Sequence, residues 1–158
     1  GHNFTGQTTL TTKLFGKYNL LMFPYPQFWE LYQEIGIMFQ ECYDGQEPYY
    51  IQSWLNFYYK GDFIDWHNHW EPAAKSYHGF YCVDTEPSKT SYKIPGIEGI
   101  VDVPSKNNLL VMSKSDGDVH RTWEWEYDRP RITIAFDILP AHVVAQYTKY
   151  PLNQWIPI

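Results

Sequence analysis

Residues 131–138 read Arg-Ile-Thr-Ile-Ala-Phe-Asp-Ile, and every even position from Ile132 to Ile138 is apolar. A period of two belongs to a β-strand with one face against a core, because successive side chains leave a strand on opposite sides. The odd positions, Arg131, Thr133, Ala135 and Asp137, then face something other than that core. Residues 49–59, Tyr-Tyr-Ile-Gln-Ser-Trp-Leu-Asn-Phe-Tyr-Tyr, have the aromatic and β-branched content of a second long strand. Here Ile51, Leu55, Phe57 and Tyr59 share one face, and Gln52, Trp54, Asn56 and Tyr58 share the other. Shorter strands are predicted at 63–69, 77–84, 97–103, 108–114 and 118–126, with turn signals such as Gly61-Asp62 and Pro104-Ser105-Lys106 between them. Residues 85–96, which carry Pro87 and Pro95, read as a polar loop. Many short strands at near-regular spacing predict a mainly β, antiparallel sandwich or barrel.

One segment breaks that pattern. From Gln27 to Cys42, apolar residues recur at spacings of three and four (Phe28, Leu31, Ile35, Met38, Phe39), the stripe of a helix with one buried face. Pro26 suits the start of that helix, where its missing N–H costs little, and Asp44-Gly45 follows as a stop. Residues 3–20 read as an arm or an edge strand. The tail, 140–158, carries Pro140, Pro151 and Pro157, so an ordered strap or a subunit contact is expected rather than a long helix. The chain is thus expected to form a single domain over 1–158: an N-terminal arm and helix at 1–45, a β core at 49–139, and a tail at 140–158 through which, or through the arm, a homodimer could form.

The formal net charge of -6 argues against a protein that coats nucleic acid, which would carry a basic stripe, but leaves room for one nucleotide or peptide in a local pocket. No apolar run approaches the roughly 18 residues that cross a membrane. The first residues lack the basic and apolar parts of a signal peptide, so a cytoplasmic protein with no membrane association is expected. The two cysteines, Cys42 and Cys82, are expected as buried thiols of a reducing compartment rather than as a disulfide.

Candidate chemistry begins at His67-Asn68-His69. If residues 63–71 are extended, Asp65, His67, His69 and Glu71 project to one face, and Ile64, Trp66, Asn68 and Trp70 to the other. That face is made of metal-competent or acidic side chains, although a polar surface strand would look the same. On a later strand Asp118, His120 and Thr122 share a face. A third histidine about 50 residues downstream could close a facial three-ligand metal site. Arg131, with Thr133 two residues on, could grip a carboxylate by the planar fork of its guanidinium, or could pair with Asp128 or Glu126.

Taken together, the His67-Asn68-His69 pair, the distal His120 and an Arg131-x-Thr133 eleven residues later resemble the Fe(II)/2-oxoglutarate-dependent oxygenases, and more closely a subgroup found in bacteria and phages. The residues that carry the likeness lie between about 50 and 138. They include Lys60-Gly61-Asp62-Phe63 ahead of the histidine pair, Gly79-Phe80-Tyr81-Cys82-Val83, and His120 followed by Arg131 to Phe136. The resemblance implies a double-stranded β-helix, or jelly roll, with one or two supporting helices. It implies iron held by His67 and His120, and 2-oxoglutarate as cosubstrate with its distal carboxylate on Arg131, assisted by Thr133. Asn56, Tyr58 and Tyr81 would line the cosubstrate pocket. Most of the superfamily has His-x-Asp or His-x-Glu where this chain has His69. The third ligand is therefore His69, which the strand period favours, or a carboxylate from Asp65, Glu71 or Asp118. The implied activity is a dioxygenase that hydroxylates an unactivated C–H bond of a small-molecule or peptidyl substrate and forms succinate and CO2. Trp66, Trp70, Tyr77, Trp123 and Trp125 would shape the substrate mouth or pack as core or rim.

Two other readings stand beside it. Gly61 with His67-x-His69, and Gly117 with His120, fit parts of the cupin motifs and would suit a metal enzyme without 2-oxoglutarate. Glu71 comes too early for that motif, however, and Arg131-x-Thr133 has no role in it. An aromatic-rich β sandwich could also be a binding module or structural component without catalysis.

Overall fold

A computed structural model describes residues 17–68, 72–115, 118–147 and 154–158. The helix α1 spans Pro26–Cys42, with Pro26 in its first turn. It ends at Tyr43, which returns to extended backbone while its N–H still bonds the Phe39 carbonyl. Leu31, Ile35 and Phe39 are the buried side of the stripe expected from the sequence.

Nine strands follow among the described residues: β1 Tyr49–Tyr58, β2 Ile64–His67, β3 Tyr77–Asp84, β4 Lys89–Lys93, β5 Val101–Pro104, β6 Leu110–Lys114, β7 Val119–Thr122, β8 Arg131–Pro140 and β9 Ile156–Pro157. They form two antiparallel sheets, ordered β6-β3-β8-β1-β9 and β2-β7-β4-β5. The fold is a jelly roll, a double-stranded β-helix. Its spine is the pairing of β1 with β8, unbroken from Tyr49↔Pro140 to Tyr58↔Arg131. On one face of the five-stranded sheet Ile51, Ile134, Phe136 and Ile138 bury against Leu31, Ile35 and Phe39 of α1. Burial of each such side chain contributes about 1.5–3 kcal/mol. The opposite face, which carries Asn56, Tyr58, Arg131 and Thr133, looks toward the second sheet and bounds a cavity between the two.

The structure departs from the sequence-based expectation in several places. Lys89–Lys93, inside the expected polar loop, is strand β4, paired with both β5 and β7. Its inward residues Thr90 and Tyr92 are buried, while Lys89 and Lys93 stay at the surface, so its composition reads as that of a loop. The strands expected at 97–103, 118–126 and 63–69 are shorter: Val101–Pro104, Val119–Thr122 and Ile64–His67. In the tail, Ala141–Tyr147 forms the short helix α2, and β9 pairs with Tyr50 and Ile51 of β1, a strap on the chain's own sheet. Most of the arm expected at 3–20 lies outside the described residues. Its last part is tied down by Asn19, whose buried amide donates to the carbonyls of Ile51, at 3.0 Å, and Gln154, at 2.8 Å. Cys82 is buried as expected, but Cys42 is exposed; both are free thiols. Among the described residues no helix is long and apolar enough to cross a membrane.

Two glycines show how tightly each region is packed. A Cβ on Gly79 would meet the Val111 carbonyl oxygen at 2.1 Å and the Phe136 ring at 2.5 Å, whereas one on Gly36 in α1 would meet nothing within 4 Å. Gly79→Ala is therefore expected to destabilise the protein by about 1–3 kcal/mol through overpacking. Gly36→Ala is expected to stabilise it by about 0.5–1 kcal/mol through helix propensity. Equilibrium urea denaturation of the two variants reads both signs.

Candidate active site

The cavity between the sheets measures about 40 Å³. From the larger sheet it is lined by Asn56 and Tyr58 of β1, His78 of β3, and Arg131 and Thr133 of β8. From the smaller sheet it is lined by Ile64 and His67 of β2, Thr90 of β4, and His120 and Thr122 of β7. Eight residues singled out in the sequence were expected to meet in one place; the structure brings together six of them, His67, His120, Arg131, Thr133, Asn56 and Tyr58. His69 lies outside the described residues, as do Trp70 and the alternative ligand Glu71.

A β-bulge aims His67. The register runs from Ile64↔Thr122 to His67↔His120, so three steps along β2 match two along β7. Both Ile64 and His67 therefore point inward and are buried, while Asp65 and Trp66 are only half-buried. The strict alternation that would group Asp65 with His67 is broken at this point. The Asp65 carboxylate instead accepts the Trp66 N–H at 2.8 Å, and the Asp65 carbonyl lies 2.8 Å from His67 Nδ1. A carbonyl can only accept, so Nδ1 carries the proton and Nε2 carries the lone pair. A backbone carbonyl behind an imidazole is the arrangement that fixes a metal-binding tautomer.

His120 sits opposite His67 on β7, and the ring centroids are 4.2 Å apart at an interplanar angle of 56°. Both imidazoles line the cavity, and two histidines side by side are a donor pair that suits a transition-metal ion. Asp118, two residues earlier, is buried and close enough to Tyr92 to push that phenol's pKa up, after the larger effect of burial. Among the described residues, no three His, Cys, Asp or Glu side chains gather closely enough to hold a metal. A three-ligand site at His67 and His120 would need a donor from beyond them, and His69 and Glu71 lie outside the described residues.

Arg131 marks the other end. Its side chain is only 1% exposed. Nε donates to Ser88 Oγ at 3.0 Å and Nη2 lies 3.4 Å from Ser105 Oγ, while the Tyr58 ring stands 4.9 Å from the guanidinium carbon. Burial lowers the Arg131 pKa and raises that of Tyr58, whose hydroxyl also bonds Thr122. The acidic partners considered from the sequence are elsewhere: Asp128 is paired with Lys60 at 3.7 Å and Glu126 is exposed. None of the ion pairs among the described residues uses Arg131. A buried cation held by neutral hydroxyls is costly unless an anion joins it, and a planar guanidinium fits a carboxylate.

Tyr81 stands apart from this group. It pairs in register with Ile134 on the helix side of the sheet, and its hydroxyl donates to Asn108 Oδ1 at 2.6 Å. On β3 it is His78, Phe80 and Cys82 that share the parity of the inward face. Tyr77 packs with Phe39 and Tyr49 beneath α1, and Trp125 is buried against Tyr58 and Ile64. Trp66 and Trp123 lie on the outside of the smaller sheet, with Lys93 Nζ 4.2 Å from the first ring and the Arg121 guanidinium 4.0 Å from the second. The sequence reading did not single out His78, Ser88 or Ser105. Their positions follow from strand register and loop placement, which no local pattern encodes.

No protein-family model and no curated protein matches the chain. Among solved structures it is similar to a 2OG-Fe(II) oxygenase family oxidoreductase from Burkholderia pseudomallei, at a TM-score of 0.56 and 11% identity. The match covers 74% of this chain and 60% of that one, so the chain spans less than two thirds of that neighbour's length. It is also similar to a Pseudomonas putida prolyl-4-hydroxylase, at a TM-score of 0.55 and 10% identity over 74% of this chain and 67% of the other. At such identity the likeness establishes the shared jelly-roll fold.

Proposed function

We propose that this protein is an Fe(II)- and 2-oxoglutarate-dependent dioxygenase that hydroxylates an unactivated C–H bond of a small-molecule or peptidyl substrate. The observation that carries this reading is the buried Arg131, which among the described residues bonds hydroxyls and makes no ion pair, in the same cavity as the facing His67 and His120. A metal enzyme without 2-oxoglutarate leaves that guanidinium without a purpose. The two solved structures of similar fold, one named as a 2OG-Fe(II) oxygenase and the other as a prolyl-4-hydroxylase, support the reading in kind.

In this reading His67 holds the iron through Nε2, since the Asp65 carbonyl occupies the Nδ1 proton, and His120 holds it from the facing strand. His69 completes the set. Three neutral imidazoles leave the centre one charge more positive than a set with one carboxylate, which favours an anionic cosubstrate beside it. Arg131 exchanges its serine hydroxyls for the distal carboxylate of 2-oxoglutarate, with Thr133 adding a hydroxyl and Tyr58 and Asn56 walling the chain. Iron and 2-oxoglutarate held there would let dioxygen act as the oxidant, one oxygen atom ending in the hydroxylated product and the other in succinate as CO2 leaves. A cavity of about 40 Å³ admits a few waters, so the walls around Arg131 must open for the cosubstrate, and closure afterwards excludes water.

Calorimetry of the Mn(II)-loaded protein with 2-oxoglutarate is expected to show saturable 1:1 binding; no heat of binding overturns the proposal. Arg131→Met is expected to weaken that binding about 100-fold, the loss of two charge-assisted bonds. The same variant, free of metal, should unfold at an unchanged or higher temperature, because a neutral chain of similar volume removes an uncompensated buried charge. A marked drop in melting temperature would show that the guanidinium is structural. His67→Ala and His120→Ala should each lose bound metal by elemental analysis, and 2-oxoglutarate affinity with it.

A further inference from the structure

Beside the facing histidines lies a third imidazole that the proposed chemistry does not use. His78 of β3 is 2% exposed. Its Nδ1 is 2.8 Å from Ser115 Oγ and its Nε2 is 2.9 Å from Ser113 Oγ. Its ring lies nearly parallel to that of His120, with centroids 4.8 Å apart and an angle of 20°. A neutral imidazole has one donor and one acceptor nitrogen, and a serine hydroxyl can rotate to serve either. The two serines therefore hold the ring plane whichever tautomer is present. Ser115 is itself fixed, because its N–H bonds the Ser76 carbonyl at 2.9 Å. The His78–His120 contact also joins the sheets, since β3 belongs to the five-stranded sheet and β7 to the four-stranded one.

We propose that His78 is a positioning residue: clamped by Ser113 and Ser115, it serves as a flat wall that fixes the plane of His120 and so directs that ring toward the metal. This role rests on the metal-binding reading of His67 and His120. It is distinct from ligation, because both His78 nitrogens meet serine hydroxyls. It also gives the end of β6 a function: Ser113 in the strand and Ser115 just beyond it bracket the exposed Lys114 and meet the two nitrogens of His78.

The test is Co(II) binding, read by calorimetry and by the visible ligand-field bands of the loaded protein. His78→Ala should weaken Co(II) binding about 10-fold or more, the usual cost of losing a group that orients a ligand, and should shift the bands. His78→Phe, which keeps a flat ring, should stay within about 2-fold of the wild type with bands in place. The Ser113→Ala/Ser115→Ala double variant should fall between them. Unchanged affinity and bands in His78→Ala would overturn the proposal, as would a His78→Phe variant as weak as His78→Ala. If circular dichroism shows that His78→Ala does not fold, the double serine variant decides, and wild-type Co(II) binding there overturns the role. Failure of the wild-type protein to bind Co(II) is a different result, which removes the metal reading and this role together.

Discussion

The ten-residue pairing of β1 with β8 sets both the core and the site. One face of this ribbon presents Ile51, Ile134, Phe136 and Ile138 to α1. The other presents Asn56, Tyr58, Arg131 and Thr133 to the cavity. A slip of one residue would exchange the two faces, moving an arginine under the helix and an isoleucine row into the cavity. Packing energy on one side thus fixes polar geometry on the other. The three β8 side chains alone contribute about 1.5–3 kcal/mol each, enough to hold Arg131 where its charge is poorly solvated.

That charge gives the cavity its chemical character. In a low-dielectric enclosure the attraction between a guanidinium and an arriving carboxylate is much stronger than in water, and hydroxyl partners can be displaced where a carboxylate partner could not. At the other end the bulge in β2 turns His67 inward and places the Asp65 carbonyl behind it. The two ends are linked through Tyr58, whose ring flanks Arg131 and whose hydroxyl bonds Thr122, two residues along β7 from His120. His78 stacks on His120 and is itself bonded to Ser113 of β6 and to Ser115 just beyond that strand.

Much of this was legible in the sequence where a strand has one apolar and one polar face. β8 and the end of β1 are such strands, and their inward residues were assigned correctly from parity alone. β3 is not: Tyr77, Gly79 and Tyr81 on one side balance His78, Phe80 and Cys82 on the other, so hydrophobicity does not reveal which face turns inward. Tyr81 was accordingly placed in the pocket and His78 overlooked. β4 was hidden for a related reason, since its outward residues are two lysines and a serine and its inward ones include threonine. The bulge between Ile64 and His67 leaves no local signature, so Asp65 and His67 were expected side by side although only the histidine faces in.

The most direct measurement is diffraction from crystals of the protein soaked with Mn(II) and 2-oxoglutarate. The expected result is metal density between the His67 and His120 nitrogens, closed by His69, with one 2-oxoglutarate carboxylate on the Arg131 guanidinium in place of Ser88 and Ser105. Metal bound away from that histidine pair, or a cosubstrate that leaves Arg131 on its serine hydroxyls, would contradict it.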